Sequence, residues 1–296
     1  MAICFGPAGQ CRKAKELKLK STWHYLDFVA QMGLNAFEYS AGRGVNIGEA
    51  TAQRLGSRAR ELGIVMSLHA PYYISLASRE EEKREKSVQY ILDSALAVSR
   101  LGGNRIVVHP GGLNGQSREE ALRVACATLQ KARRVLDENG FTQIAICPET
   151  MGKISQLGTL EEVIKLCLLD DRMLPCVDFG HLNARTLGGL QCEADFAGVL
   201  DEIGKRLGQE RLKSMHIHFS KIAYSAGGEV RHLTFEDESF GPDFEPLMLQ
   251  LAKRRMEPVV ICESAGTQSE DALQMQEAYR RFSGRLGQDK LEGDVE

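Results

Sequence analysis

The sequence predicts an α/β protein of the (β/α)8 or TIM barrel class. Eight short runs rich in β-branched residues recur along the chain, and each interval between them is long enough for a helix. Histidines and acidic residues collect where these runs end. Strand, loop and helix repeated eight times imply a parallel sheet with right-handed crossovers, which a closed barrel accommodates most simply. An open doubly wound sheet is the structural alternative.

The eight runs define the predicted strands. They lie near residues 2–5, 35–40, 64–70, 105–110, 143–149, 174–179, 214–220 and 257–263. Between the third and fourth runs, apolar residues recur at intervals of three and four, the spacing of one buried helix face: Val88, Ile91, Leu92, Ala95 and Leu96. Three pairs with the spacing of a capping box predict helix starts: Ser78 with Glu81, Ser117 with Glu120 and Thr159 with Glu162.

The length of 296 residues suits one barrel, so we predict a single domain over 1–284 and a polar tail without regular structure over 285–296. The net charge of −3 argues against a protein coated in lysine for indiscriminate binding of nucleic acid. The first residues lack the basic and apolar regions of a signal peptide, and no apolar run has the ~20 residues of a membrane span. We therefore expect a cytoplasmic protein that does not associate with membranes.

The sequence contains eight cysteines but no Cys-x-x-Cys pair. Four of them fall inside the apolar runs: Cys4, Cys147, Cys176 and Cys262. Free cysteine is often buried as a small apolar residue, so we predict that role for these four rather than disulfide or ligand roles.

The residues that carry chemistry stand at the ends of the predicted strands. They are His69, His109, His181, His216 and His218, together with Glu149, Asp178 and Glu263. In a parallel barrel these ends meet at one rim, and a buried carboxylate there needs a cation or a hydrogen-bonding partner. Imidazole with carboxylate favours zinc, manganese or iron over magnesium or calcium, and zinc is the first choice. His216 and His218 face the same side at different depths, so only one needs to bind a metal directly.

Several segments resemble the endonuclease IV family of metal-dependent apurinic/apyrimidinic endonucleases, within the xylose-isomerase-like barrels. They are "LHAPYYISLAS" at 68–78, "VVHPGG" at 107–112, "PETMGKISQLGTLEEV" at 148–163, "CVDFGHLNA" at 176–184, "MHIHFSK" at 215–221 and "VVICES" at 259–264. The resemblance implies three metal sites, the first two of which share Glu149 as a bridging and catalytic carboxylate. It assigns His69, His109 and Glu149 to the first, Glu149, Asp178, His216 and Glu263 to the second, and His181 and His232 to the third.

The chain departs from the family pattern at two positions. The family has an aspartate two residues before the last histidine, whereas this chain has Val230 there and Glu229 one residue further away. We predict that Glu229 takes the place of that aspartate, because its longer side chain offsets the shifted spacing if the loop turns tightly at Gly227 and Gly228. The chain also has His218 where the family usually has asparagine.

The resemblance implies hydrolysis of a phosphodiester by a metal-activated water, with two or three zinc ions as cofactors. The implied substrate is damaged double-stranded DNA, cleaved at abasic sites in base excision repair by a monomeric enzyme. Arg43 and Tyr72, in the loops after the second and third strands, are candidates to contact the nucleic-acid backbone. A solvated loop residue and a packing aromatic are the alternatives for these two.

Two other functions are consistent with the same residues. Glu149, Asp178, His216 and Glu263 alone resemble the single-metal ring of sugar isomerases and epimerases of the same barrel superfamily, and the fold does not choose between these activities. His69 and His109 are surplus to such a ring, which favours the phosphodiesterase. A barrel that binds metal without catalysis would need a closed coordination shell.

Overall fold

The computed structural model describes residues 2–19 and 21–293. Eight parallel strands form a closed barrel, which confirms the predicted fold class, and a two-stranded antiparallel hairpin, β8 and β9, lies outside it. The strands in the described residues are β1 (Cys4–Pro7), β2 (Ala36–Ser40), β3 (Val65–His69), β4 (Arg105–Val108), β5 (Ala145–Pro148), β6 (Cys176–Asp178), β7 (His216–Phe219), β8 (Ile222–Ser225), β9 (Gly228–His232) and β10 (Val259–Cys262).

Hydrogen bonds between neighbouring strands close the barrel. Continuous parallel pairing joins β2 to β5 in chain order, and joins β6 to β7, β10 and β1. Single parallel bridges complete the ring, one between Ala8 and Glu38 and one between Glu149 and Cys176. The order around the ring therefore follows the chain, which excludes the doubly wound alternative.

Helices fill the intervals between the barrel strands. They are α1 (Arg12–Glu16), α2 (Thr22–Gln31), α3 (Glu49–Leu62), α4 (Glu81–Arg100), α5 (Arg118–Glu138), α6 (Leu160–Cys167), α7 (Phe179–Arg185), α8 (Glu193–Leu207), α9 (Gln209–Lys213), α10 (Glu245–Lys253) and α11 (Gln268–Gly293). Across the described part of the chain, none of them combines the length and the apolar character that a membrane crossing requires.

Two of the three predicted helix starts are confirmed. Thr159 forms a capping box with Glu162 at α6, and the Ser117 side chain accepts a hydrogen bond from the Glu120 amide at α5. The prediction for Ser78 is wrong, because α4 begins at Glu81 with Glu80 as its N-cap. The Ser78 hydroxyl instead accepts a hydrogen bond from the Glu80 amide, within the loop that precedes the helix.

The carboxyl-terminal stretch also differs from the prediction. Helix α11 continues through the predicted boundary at 284/285 as far as Gly293, and 294–296 lie outside the described residues. The stretch from Arg285 onward contains no proline and is rich in leucine, glutamine, lysine and glutamate, which favour helix, so polarity alone does not end it.

Successive side chains along each strand point to opposite faces of the sheet, so the buried side chains form two layers. One face packs against the helices in the main apolar core, which includes Phe5, Phe37 and Ile217. The other face points into the barrel, where the apolar residues form two small separate clusters. The cysteines predicted to be buried, Cys4, Cys147, Cys176 and Cys262, are buried and free, as expected for small apolar residues.

Substitution of Gly6 tests how closely β1 and β2 pack where the barrel closes. A Cβ atom at this position would lie 1.8 Å from the carbonyl oxygen of Ala36 in the adjacent strand. Gly6→Ala should therefore lower the free energy of unfolding by about 3 kcal/mol, measured by urea denaturation. Gly198→Ala is the matched control, since Gly198 lies in α8 with open space around it. That variant should gain about 0.5–1 kcal/mol, and equal stability of the two variants would contradict the packing described.

Candidate metal centre

A first cluster forms where β3, β4 and β5 end. His69 is the last residue of β3, His109 follows β4, and Glu149 follows β5. The Nε2 atoms of His69 and His109 lie 3.4 and 3.0 Å from Oε2 of Glu149. Nδ1 of His69 lies 2.8 Å from the carbonyl oxygen of Ala70, so this nitrogen keeps its proton in the neutral ring, and Nε2 is the nitrogen that can bind a metal. These are the three residues predicted for the first metal.

A second cluster shares Glu149. It consists of Glu149, Asp178, His218 and Glu263, whose ligand atoms lie within 4.8 Å of one another. Nδ1 of His218 lies 3.1 Å from Oε1 of Glu149 and 3.6 Å from Oε2 of Glu263. One oxygen of Glu149 thus faces the first cluster and the other faces the second, which is the geometry of a bridging carboxylate.

The second cluster contains His218 in place of the predicted His216. Strand register explains the difference: Asp178 of β6 lies opposite His218 of β7, whereas Cys176 lies opposite His216. His216 is therefore two residues deeper in the barrel, about 7 Å along the strand. There it groups with Cys176 and His218, below the rim where Asp178 and Glu263 stand.

A third cluster joins α7 to the hairpin. His181, Glu229 and His232 offer ligand atoms within 4.8 Å of one another, and Nε2 of His181 lies 3.4 Å from Oε2 of Glu229. Nδ1 of His181 lies 3.0 Å from the carbonyl oxygen of Thr150, which orients the ring. The structure brings Glu229 to the two histidines, where the sequence predicts it.

Gly228 explains how Glu229 reaches this position. Its φ of +88° turns the chain between β8 and β9, and a Cβ atom here would lie 2.2 Å from the carbonyl oxygen of Gly152. That carbonyl accepts a hydrogen bond from the Glu229 amide at 3.1 Å. The hairpin can pack so closely against the loop after β5 only because glycine stands at this position.

Buried carboxylate oxygens without hydrogen bonds point to cations in these clusters. Glu149 and Asp178 are fully buried, yet Oε2 of Glu149 and Oδ2 of Asp178 accept no hydrogen bond. An unsatisfied buried carboxylate oxygen is costly, and a metal ion removes that cost. The donor set of imidazole nitrogens and carboxylate oxygens fits zinc, manganese or iron.

Burial and the close approach of acidic and basic side chains shift the pKa values of the site residues. Burial alone would raise the pKa of Glu149, but the charges of His218 and His109 outweigh it and hold that pKa well below its usual range. Burial opposes protonation of His69, yet the adjacent carboxylate of Glu149 raises the pKa of His69 to about 9. Asp178 and Glu149 likewise outweigh burial and raise the pKa of His181 to about 10. Metal binding to the free protein therefore has to displace protons from these imidazoles.

The first and third clusters open into one cleft of about 410 Å³. Tyr72 lines it and is 52% exposed, and its amide donates a hydrogen bond to the carbonyl oxygen of Gly42. Arg43 is exposed on that neighbouring loop and lies outside the cleft lining. Lys153 and Gln156 also line the cleft and were not predicted, although both stand in the segment that resembles the endonuclease family.

Glu38 is the buried residue that the sequence analysis missed. It lies within β2 and is fully buried, with its carboxylate oxygens 3.0 Å from Nε2 of His216 and from Nε2 of His218. Burial alone would raise the pKa of Glu38, but His218 and His216 hold it well below its usual range. An acidic residue within the predicted strand at 35–40 could have indicated this buried position. In the sequence we considered only acidic residues at strand ends.

Comparisons of the sequence identify relatives along most of the chain. A family model described as xylose isomerase-like TIM barrel matches residues 26–282. An uncharacterized protein of Methanocaldococcus jannaschii is 33% identical over 282 residues, which are 95% of this chain and 98% of that protein. A probable endonuclease 4 of Methanosphaera stadtmanae is 32% identical over 167 residues, 55% of this chain and 58% of the relative. The matched stretch thus spans little more than half of that endonuclease.

Solved structures agree on the fold. A D-tagatose 3-epimerase-like protein superposes with a TM-score of 0.69 at 18% identity, covering 96% of this chain and 99% of its own. Endonuclease IV from Thermus thermophilus gives 0.68 at 21% identity, covering 95% and 99%. At these identities the likeness establishes the fold alone. Together with the match over 26–282, it shows that the chain belongs to the xylose isomerase-like TIM barrel family, with distant relatives among proteins named probable endonuclease 4.

Proposed function

We propose that the protein is a metal-dependent phosphodiesterase, an endonuclease IV-like enzyme that cleaves double-stranded DNA at abasic sites in base excision repair. The observation that carries the proposal is the set of three ligand clusters that meet around Glu149, more than a single ion requires. Relatives named probable endonuclease 4 support it. Because every cluster residue comes from one chain, a monomer suffices, and the free cysteines suit a reducing cytoplasm.

The metal ligands in this proposal are the cluster residues. His69 and His109 hold the first ion with Glu149, and Asp178, His218 and Glu263 hold the second with the same carboxylate. His181, Glu229 and His232 hold a third. Zinc is the first choice, with manganese and iron as alternatives. When bound, adjacent divalent cations supply Lewis acidity for displacement at phosphorus and neutralise the charge that develops on the phosphate.

The other residues of the cleft position the substrate. A cleft of about 410 Å³ suits one nucleotide turned out of the helix, and an abasic nucleotide is easier to extrude than a paired one. Lys153 lines the cleft and brings an ammonium group as a partner for a phosphate oxygen. The half-exposed ring of Tyr72 offers a surface for the sugar or a flanking base, with Arg43 on the next loop to contact the backbone.

One observation favours a sugar isomerase or epimerase as the second candidate. The second cluster alone, with three carboxylates and one histidine, is a complete single-metal site. A D-tagatose 3-epimerase-like protein shares the fold. His69 and His109 have no role in a one-metal site of that kind, and for this reason we prefer the phosphodiesterase.

Metal counting tests the number of sites. Purified protein from metal-replete expression should carry at least two tightly bound transition-metal ions per chain by elemental analysis, because the ligands exceed the four or five that one ion uses. His232→Ala and Glu229→Ala should each lose one ion per chain, while Glu236→Ala, an exposed acid nearby, should lose none. Unchanged stoichiometry in both would leave a two-metal enzyme, and a wild-type count of one or none would contradict the proposal.

Metal counting also tests which of the two histidines in β7 binds a metal. His218→Ala should lose one ion per chain, since Nδ1 of His218 faces Glu149 and Glu263. His216→Ala should keep the wild-type stoichiometry. The opposite result, loss in His216→Ala alone, would restore the ligand set predicted from the sequence. Circular dichroism spectra establish that both variants are folded.

Cleavage of an abasic-site duplex tests the reaction. His69→Ala and His109→Ala should each lower kcat/KM at least about a hundredfold, the upper range for disturbing a metal site, and Glu149→Gln should be at least as damaging. His24→Ala, an exposed histidine outside the clusters, should retain wild-type activity. A wild-type protein that leaves this DNA intact but interconverts ketoses would establish the isomerase or epimerase instead.

A further inference from the structure

A buried polar group lies inside the barrel next to the second cluster. Glu38 of β2 is fully buried and pairs in register with Ser67 of β3, whose hydroxyl donates a hydrogen bond to Oε2 of Glu38 at 2.9 Å. Nε2 of His216 lies 3.0 Å from the same oxygen, and Nε2 of His218 lies 3.0 Å from Oε1. The Ser67 hydroxyl and the Nε2 atoms of the two histidines, from two other strands, thus surround one carboxylate, and its Oε1 makes no hydrogen bond.

His218 stands between this carboxylate and the second cluster. Its Nδ1 lies 3.1 Å from Oε1 of Glu149, while its Nε2 faces Glu38 on the opposite side of the ring. A neutral imidazole carries one proton, and a ring nitrogen that binds a metal must present a lone pair, so the proton then lies on the other nitrogen. Oε1 of Glu38 is therefore the group within reach of an Nε2 proton when Nδ1 of His218 binds a metal.

His216 supports the same assignment. Its Nδ1 is buried and has no hydrogen-bond partner, whereas its Nε2 lies 3.0 Å from Glu38. A buried N–H without an acceptor is costly, so the proton belongs on Nε2, which faces Oε2 of Glu38. The Nε2 atoms of the two histidines lie 3.2 Å apart, within hydrogen-bonding distance, and each lies 3.0 Å from this carboxylate. Of the two histidines, His218 is the one whose Nδ1 faces Oε1 of Glu149, where a bound metal ion would replace the hydrogen bond between them.

We propose that Glu38 is a positioning residue that holds His218 with its proton on Nε2, so that Nδ1 is the ligand for the metal of the second cluster. A carboxylate that accepts the second N–H of a ligating histidine fixes the ring and makes the other nitrogen more basic. The inference rests on the proposed function only in requiring that the second cluster binds a metal. It holds for a hydrolase and for an epimerase alike.

A different occupant of the same region is an additional metal ion. Cys176, His216 and His218 offer ligand atoms within 4.8 Å of one another, beside Glu38. Such an ion would use Nε2 of His218, and Cys176 would be as necessary as Glu38. Under the positioning role, Cys176 is a buried apolar residue and its replacement by serine leaves metal binding unchanged.

The experiment is a cobalt titration of the metal-free protein, followed by the visible absorption of bound Co2+ and by elemental analysis. Glu38→Ala should keep the wild-type stoichiometry but weaken the ion of the second cluster about 10- to 100-fold and alter its cobalt spectrum. Glu38→Gln, which keeps the volume and one acceptor oxygen, should lie between Glu38→Ala and the wild type. Ser67→Ala should weaken the same ion by a smaller factor, and Cys176→Ser should match the wild type.

The outcomes separate this inference from the proposed function. Wild-type affinity and spectrum in folded Glu38→Gln and Glu38→Ala would overturn the positioning role while leaving the metal centre intact. Loss of one whole ion in both Glu38→Ala and Cys176→Ser would replace it with the additional metal site. A wild type that binds cobalt, shows the expected Glu38 effects and fails to cleave abasic DNA would support the inference and refute the nuclease. No cobalt binding by the wild type would overturn both.

Discussion

The site depends on a carboxylate that is buried at the place where the barrel closes. Glu149 follows β5 and pairs with Cys176 in one of the two single parallel bridges that join the halves of the ring. Its amide donates a hydrogen bond to the carbonyl oxygen of Val108, which fixes the direction of the side chain. A buried carboxylate costs several kcal/mol unless cations or donors surround it, so the residues around Glu149 have to compensate. Closing the barrel and assembling the ligands are therefore one structural event.

That constraint explains how much of the fold and site could be predicted from the sequence. Short apolar strands between turns are local features, and histidines and acids at their ends are local as well, which is why His69, His109 and Glu149 could be predicted to lie together. The choice between His216 and His218 is different. Both face the barrel interior, and only the register of β7 against β6 decides which of them stands level with Asp178. Register between strands is set by long-range packing and cannot be derived from one segment.

Glu38 and Ser78 were misjudged for related reasons. An acid within a strand suggests a solvated face, and its inward position depends on partners that are distant in sequence, namely Ser67, His216 and His218. Ser78 has the spacing of a capping box, but the Arg84 guanidinium donates to the carbonyl oxygens of Ser78 and Arg79 and holds this stretch outside the helix. In both cases a tertiary contact overrides a correct local pattern.

The clusters differ in how far they are built on the barrel strands or on loops. This difference bears on how one fold supports different reactions. The second cluster is built mainly on strand ends of β5, β6, β7 and β10, the part of the site closest to the shared framework. The third depends on the hairpin, where Gly228 allows Glu229 to pack against the loop after β5 despite its altered spacing. Loops tolerate such changes better than strands do, because fewer buried neighbours constrain them. The overall fold is common to an endonuclease and an epimerase-like protein, so it does not fix the reaction. Under the function we propose, the first and third clusters are the parts of the site that a single-metal enzyme does not need.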